Sequence, residues 1–239
     1  MVPRAFRWTT PLLVLGVVAC TEATAVEEPD PLSVGLVAHL IFQGDATDQS
    51  GNGNDGDLLG AATASGELLL GNNANDMLRL PSGAMDGFGD FTFAAWLRID
   101  TFRDNSHEVI SAANAIEDNA LIFWYREGTD QWAVGVNNVS ADFPTDPSIE
   151  TGQWLHVALL RSGTSASLFL NGVRLGAPVT VPGDVLDIAP GGLVFGQDQD
   201  TVGGGFEADE SWAGAMDNLR IYNRALTATD VAALAQESR

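Results

Sequence analysis

The chain of 239 residues holds one cysteine, Cys20, so no disulfide can close within it. It holds no lysine; all eleven basic residues are arginine. Set against 32 Asp and Glu, they leave a formal net charge of −21 at pH 7. That imbalance argues against nucleic acid as a partner and against electrostatic attachment to anionic lipid headgroups. Histidine is scarce as well: His39, His107 and His156 are scattered, with no HExxH or related zinc spacing. No serine sits in a GxSxG context, and no phosphate-cradling glycine loop precedes a helix. Beyond residue 33 there is no apolar run of membrane-spanning length and no repeat of solenoid or propeller period.

The first twenty residues read as an address rather than as part of a fold. Arg4 and Arg7 give a positive start, and Pro11 to Val18 is an apolar run too short to cross a bilayer as a helix. The run ends Val17-Val18-Ala19-Cys20. This segment resembles the lipobox of bacterial lipoproteins, in which the cysteine becomes the lipidated first residue of the mature chain. The resemblance implies a signal peptide over 1–20, acylation at Cys20, and a protein anchored to the bacterial cell envelope without spanning a membrane. Thr21 after the cysteine implies the outer membrane where the host has one. An ordinary secretory signal with a coincidental cysteine is the alternative. Loss of Arg4 and Arg7, with no acid lost, takes the formal charge from −21 to −23. Residues 21–33, TEATAVEEPDPLS, are acidic, carry two prolines and lack periodicity, as a flexible tether would. Residues 34–239 remain, enough for one well-buried core.

From Val34 onward, short apolar or alternating runs are separated by Gly, Asn, Asp and Pro. The pattern predicts strands over 36–42, 67–70, 76–80, 91–99, 108–111, 120–126, 132–136, 154–160, 192–195 and 217–222. In 91–99, FTFAAWLRI, alternation places Phe91, Phe93, Ala95, Leu97 and Ile99 on one face. Strands 167–170 and 173–175 flank Asn171-Gly172, a pair suited to a tight hairpin turn. One helix is expected, over 228–236, with Thr227 as N-cap and Asp230 three residues on. Many short strands and a single C-terminal helix predict an all-β, antiparallel β-sandwich.

The densest chemistry lies in Gly196 to Asp217, GQDQDTVGGGFEADESWAGAMD. Asp198, Asp200, Glu207, Asp209 and Glu210 crowd a stretch without a single cation, and Gly203 to Gly205 let the backbone bend between its acidic halves. Such carboxylates repel unless they are solvated apart, protonated or bridged by a cation. Calcium, which takes six to eight oxygen ligands in flexible geometry, suits them; a solvated acidic loop is the other reading.

GLVAHLIFQGDATDQSGNGNDG, FTFAAWLRI, WLHVALL, LFLNGVRLG and MDNLRIYNRALTATDVAAL resemble, in order, the laminin-G-like domains of the concanavalin A-like jelly-roll superfamily. The resemblance covers Val34 to Leu234. Within it, GQDQDTVGGGFEADESWAG resembles the calcium loop of pentraxins. That likeness implies Asp198 and Asp200 as acidic ligands able to bridge two calcium ions, and Gln199 as a backbone-carbonyl ligand. It implies Glu207 on the second ion, with Glu210 standing where pentraxins place a Gln on the same ion. It also implies Asp104 and Asn105, in RDNSHEVIS, as the pair completing the first site. Every one of these donors is a hard oxygen. The family pattern is incomplete here. Ala94 and Ala158 occupy the expected half-cystine positions, and after Trp154 only His156 of the pentraxin signature is kept, with Leu160 and Arg161 in place of its hydroxyl and aromatic residues. The phosphocholine pocket and the pentameric interface therefore do not carry over.

Weaker candidates fill the rest. Asp45, Asp48 and Asn52 in GDATDQSGNGNDG are expected to make Asx-type turns rather than hold a structural calcium. His39 and His156 are expected within strands, and His107 in a solvated loop, with lining of a ligand face as its alternative. Asn138-Val139-Ser140 is a glycosylation sequon by pattern only. Trp96, Trp124, Tyr125, Trp132 and Trp212 are expected to pack in the core or at its rim. The function implied is calcium-dependent, lectin-like binding of a glycan or phosphate ester, without catalysis. A glycan hydrolase or lyase of the same superfamily, using Glu207-Ala208-Asp209-Glu210 as paired carboxylates, is the alternative; so is an adhesive domain that calcium only braces.

Overall fold

The computed structural model describes Met1 and residues 30–71, 73–102, 106–117, 119–146 and 148–239. Cys20 and the proposed tether up to residue 29 lie outside the described residues, as do Asp104 and Asn105. Among the described residues, sixteen strands and one α-helix form in chain order. The strands are β1 Leu36–Leu40, β2 Asp57–Leu59, β3 Thr63–Ala64, β4 Leu68–Leu70, β5 Met77–Arg79, β6 Phe91–Ile99, β7 Ser106–Ala112 and β8 Leu121–Arg126. They continue with β9 Gln131–Val136, β10 Val139–Asp142, β11 Trp154–Ser162, β12 Ser165–Leu170, β13 Val173–Arg174, β14 Val179–Thr180, β15 Leu193–Phe195 and β16 Gly214–Tyr222. Helix α1 is Ala228–Leu234.

All pairings are antiparallel, and they make two sheets. One sheet runs β13-β12-β11-β6-β16-β4-β3, with β1 also on β16 and β14 on β12; the other runs β10-β9-β8-β7-β15-β5-β2. Strand β16 serves β4 through residues 214–216 and β1 through residues 219–222. Its register breaks at Asp217–Asn218, where Asn218 takes a φ of 47°, a conformation asparagine tolerates better than most residues.

The inner faces of the sheets supply the core. Phe91, Phe93, Ala95, Leu97 and Ile99 of β6 are all buried, as their alternation requires. Phe93 lies 6.3 Å from Phe123 of the opposite sheet and 6.0 Å from Phe195, while Trp132 stacks on Phe123 at 5.1 Å. Burying each such ring contributes roughly 2–3 kcal/mol. Tyr125, Trp132 and Trp212 are core residues, whereas Trp96 and Trp124 are half-buried.

A second, smaller cluster covers the outer face of the first sheet, where Val231 and Leu234 of α1 meet Ala94, Ala158, Phe169 and Tyr222. The helix starts on a reciprocal capping box: Thr227 accepts from the Asp230 amide and Asp230 accepts from the Thr227 amide, each at 3.1 Å. The tight turns follow the residues that allow them. Asn171 and Gly172 take φ of 49° and 80° between β12 and β13, and Asn137 and Asn138 take 48° and 58° between β9 and β10. Among the described residues, no helix is long and apolar enough to cross a membrane.

Two expectations need correction. His107 is not a solvated loop residue: β7 begins earlier than the apolar run suggested, at Ser106, which turns His107 inward to zero exposure. Its ring lies 6.2, 6.3 and 6.1 Å from those of Phe102, Tyr125 and Trp212. Second, β2, β3, β10 and β14 add strands that periodicity missed, all short and none with a fully buried residue.

Candidate functional site

The acidic stretch forms a loop that is closed at its base on β7. The Gly196 amide donates to the Val109 carbonyl at 3.1 Å, and the Trp212 amide donates to the Gly196 carbonyl at 2.9 Å. Trp212 is itself held in the core, with its indole N–H on the Arg98 carbonyl at 3.1 Å. Inside the loop, the buried Gln199 amide group is fully engaged. Its Nε2 donates to the carbonyls of Ser111 (3.0 Å) and Gly192 (2.9 Å), and its Oε1 accepts from the Gly203 amide at 2.9 Å. A side chain spent on three structural bonds leaves the backbone carbonyl as the donor Gln199 has to offer a metal, the role its resemblance implies. Gln197 is buried too, and its Oε1 accepts from the Asp198 amide at 2.8 Å.

Asp198 is half-buried, and its Oδ1 accepts from the Ser111 hydroxyl at 2.9 Å and from the Gln199 amide at 2.8 Å. The chain then doubles back: Thr201 and Gly204 exchange amide-to-carbonyl bonds of 2.9 and 3.3 Å, with Gly203 and Gly205 at φ of 66° and 75°. Gly205 is pressed so closely on Asp200 that a Cβ there would stand 2.6 Å from the Asp200 Cβ. Only glycine meets both the conformation and the contact. Beyond the turn, Glu207 is extended and Ala208–Glu210 form a single 3-10 turn, so this acidic tetrapeptide lies outside the strands.

The fold-back puts the two acidic halves within each other's field. Burial, and then the charges of Asp198, Asp200, Glu207 and Asp209, push the Glu210 carboxyl up to about 7. A further carboxylate joins from the sheet. Glu108 of β7 is 3% exposed, and burial, with the charges of Asp198 and Glu210 adding to it, holds its carboxyl well above the ordinary range. Its Oε2 has no hydrogen-bond partner. Nothing in composition marked Glu108 or Ser111. The signal was in the alternation of SHEVIS, which on a regular strand would leave polar and apolar residues mixed on both faces. A bulge resolves the mixture: the pairing of β7 with β8 shifts between Glu108 and Ile110, so Glu108 faces with Trp124 and Ser111 with Ile122 on the outer side, while His107 and Ile110 point inward.

Among the described residues, no three Asp, Glu, His or Cys side chains already surround a common point as a finished metal shell. The side chains of the loop are hard oxygen donors, a chemistry that suits calcium better than a softer ion. Asp200, Glu207 and Asp209 are exposed and face solvent from the rim. Beside Asp200, an open depression of about 230 Å³ is lined by Asn114, Ala115, Ile116, Thr201 and Val202.

The lesser candidates behave as turn and core residues. Asp48 accepts from the amides of His39 (2.9 Å), Ser50 (2.8 Å) and Asn54 (3.0 Å), and Asp45 accepts from Thr47 at 3.1 Å, so both make Asx-type bonds. Asn52 donates to the carbonyls of Leu36 and Val37. His39 meets Asn218 at 2.7 Å, and His156 is buried against the edge of Trp96.

The model of the concanavalin A-like lectin/glucanases superfamily matches residues 71–232. The chain belongs to this family. Within it, the chain is 31% identical to human pentraxin-4 over 178 residues, which cover 71% of this chain and 36% of that protein. It is 28% identical to the C-reactive protein of Xenopus laevis over 136 residues, 55% of each. The chain thus spans about a third of the length of pentraxin-4 and of the neuronal pentraxins it matches. Among solved structures it is similar to the heptameric SAP-like pentraxin of Limulus polyphemus, with TM-score 0.56 and 29% identity over 62% of this chain and 70% of that one. Domain 4 of AbnA, an extracellular arabinanase from Geobacillus stearothermophilus, superposes with TM-score 0.64 at 21% identity, over 84% and 98%. At that identity it speaks for the superfamily fold alone.

Proposed function

We propose that this superfamily member is a calcium-dependent, non-enzymatic binding domain, carried on the bacterial cell envelope through an acylated Cys20. Its metal ligands are Asp198, Asp200, Glu207, Glu210 and the Gln199 carbonyl, completed by Asp104 and Asn105, which immediately precede β7 in sequence. The observation that carries the reading is the fold-back at Gly203–Gly205, which brings Glu210 into the field of Asp198 and Asp200. Carboxylates gathered this way destabilise one another until a cation joins them. Bound calcium, with part of its coordination shell open to solvent, would supply a Lewis-acidic seat for hydroxyl or phosphoryl oxygens of a glycan or phosphate ester. The resemblance of this loop to that of pentraxins supports the same ligand set. The chain's own contribution is positional: Gln199 and Ser111 fix Asp198, and the Trp212–Gly196 closure fixes the loop to the sheet.

Isothermal titration of the full chain with calcium tests the first step, and absence of uptake would end the proposal. The double replacement Asp198→Ala with Asp200→Ala is expected to abolish uptake and leave the β-sheet circular dichroism unchanged, since neither side chain belongs to the core. A glycan and phosphocholine array, read with calcium and with chelator, tests the second step. Binding lost in chelator supports the lectin-like reading, whereas calcium uptake without calcium-dependent binding would make the metal a brace. Reducing-sugar release from β-glucans, abolished in Glu207→Gln, would replace binding by hydrolysis.

A further inference from the structure

We propose that a cleft on the outer face of the first sheet is a second ligand site, one that takes a single neutral sugar unit without a metal. It stands apart from the calcium reading, because the acidic loop closes on β7 of the other sheet. Its position follows from the break in β16. Met216 and Leu219 both belong to the core, so the bulge between them leaves Asp217 and Arg220 facing outward. The cleft lies between these residues, the chain that follows β1, and residues 237–239, and it holds about 240 Å³. That is below the roughly 300–1,000 Å³ of a pocket for a drug-sized ligand and on the scale of one sugar unit.

Two groups lining the cleft have unused hydrogen-bonding capacity. Asp217 is 2% exposed, and its carboxylate takes one hydrogen bond, from the Asn218 amide to Oδ1 at 2.7 Å. A carboxylate offers about four lone-pair sites. Arg220 donates through Nη2 to Glu237 at 2.5 Å, while its buried Nε has no partner. Buried polar atoms are nearly always satisfied, yet here an acceptor and a donor with spare capacity line the same cleft.

The charges around the cleft select the ligand. Asp217 and Glu237 offset Arg220 and Arg239, so a cation would meet two guanidiniums and an anion two carboxylates. A zwitterion matches the charges, but Arg220 already pairs with Glu237 and Arg239 with Glu67. What Arg220 Nε lacks is therefore an acceptor rather than a countercharge. A hydroxyl donates and accepts at one oxygen, and so serves Asp217 and Arg220 together. Gln43, Asn218 and Ser238 add uncharged polar groups, and Ile41 adds an apolar patch of wall. Adjacent hydroxyls on an otherwise apolar ring are the chemistry of a pyranose.

The test uses the full chain in chelator, with D-glucose, D-galactose and D-mannose as probes, read by saturation-transfer NMR. Saturable transfer to at least one of the three is expected, and transfer to none would overturn the inference. Asp217→Asn keeps the shape of the side chain but trades a charged acceptor for a neutral one, and is expected to weaken that sugar by about tenfold. A merely structural Asp217 would instead shift the melting temperature and leave the affinity unchanged, which would overturn the site. Gln43 is exposed and lines the cleft, so Gln43→Trp fills the space without entering the sheet and is expected to abolish transfer. Should Asp217→Asn fail to fold, undiminished transfer in Gln43→Trp would overturn the inference on its own. Glycine serves as the zwitterionic control, and displacement of the sugar by equimolar glycine would overturn the ligand class. The double variant Asp198→Ala with Asp200→Ala is expected to bind the sugar as the natural chain does; loss there would move the sugar to the acidic loop and overturn the second site.

Discussion

Glu108 and Ser111 stand three residues apart in β7 and yet face the same side of the sheet, because Val109 is an extra residue against β8. A regular strand would have sent one of the two into the core. The bulge thus does for the site what bulges do at many sheet edges, re-aiming a side chain without disturbing the packing behind it. Ser111→Ala tests its value. The hydroxyl donates to Asp198 Oδ1 at 2.9 Å and accepts from the Gln199 amide at 3.3 Å. A hydrogen bond to a charged group is worth about 1.5–3 kcal/mol. Calcium affinity is therefore expected to fall by about tenfold or more, measured by calorimetry, with the circular dichroism unchanged. An unaltered affinity would show that Asp198 needs no such support.

The turn between the acidic halves offers a matched pair of replacements. Gly203 and Gly205 both have positive φ, at 66° and 75°, so alanine at either costs about 1–2 kcal/mol in backbone strain. Their surroundings differ. A Cβ at Gly203 would meet nothing nearer than 3.6 Å, whereas one at Gly205 would stand 2.6 Å from the Asp200 Cβ and 3.0 Å from its amide nitrogen. Gly205→Ala must therefore displace Asp200, and its calcium affinity is expected to drop well below that of Gly203→Ala. Equal calorimetric affinities for the two variants would mean that Asp200 is not a ligand.

What could be read from the residues follows from what creates each feature. Phe91–Ile99 and Trp154–Ser162 are long and flanked on both sides, so their apolar pattern announces them. Asp57–Leu59, Thr63–Ala64 and Val179–Thr180 exist only because a partner strand is beside them, and two or three residues, none of them fully buried, carry no period. Val139–Asp142 was hidden behind Asn137-Asn138, a less familiar turn pair than Asn171-Gly172, although both asparagines reach positive φ. The same division runs through the site. Acid density and the three glycines made the loop visible. Glu108 and the inward His107 were not, since a bulge is a property of pairing between strands and leaves only a blurred alternation behind.

The stability of the chain should also carry a pH signature that has nothing to do with metal. His156 is 3% exposed, its Nδ1 has no partner, and its pKa is lowered from 6.5 to about 4 by burial and then by the Arg220 charge, with Glu237 opposing. Between pH 6.5 and 4 the unfolded chain therefore binds more protons at this residue than the folded one. The stability is complete above 6.5 and is lost as pH falls through about 4, by on the order of 3 kcal/mol. Glu108 and Glu210, shifted upward, act in the opposite sense and favour the fold as pH falls. The informative quantity is hence a difference. Urea unfolding of the natural chain and of His156→Phe, in chelator, should diverge by that amount as pH rises from 4 to 7. A constant difference would count against a buried neutral imidazole.

Ala94 of β6 and Ala158 of β11 are directly opposite in the register of neighbouring antiparallel strands. The resemblance to pentraxins had marked these two as the half-cystine positions, and the pairing gives that a geometric basis. Opposed residues on adjacent strands have Cα atoms about 4.5–5.5 Å apart, inside the range that a disulfide spans. Both alanines are buried beneath α1, with Leu160, Tyr222 and Leu226 as neighbours, so the added sulfurs would sit in a packed, apolar layer. Ala94→Cys with Ala158→Cys, made in a Cys20→Ser background to leave no third thiol, is expected to close under air without a catalyst. The loop joins residues 64 apart in sequence, for which the chain-entropy estimate is about 4 kcal/mol, with crowding in the layer subtracting from it. The check is a melting temperature that falls on adding reductant, together with the absence of free thiols in denaturant before reduction. Two titratable thiols in the air-exposed protein would mean that the packing around α1 holds the strands in a geometry the bond cannot accept.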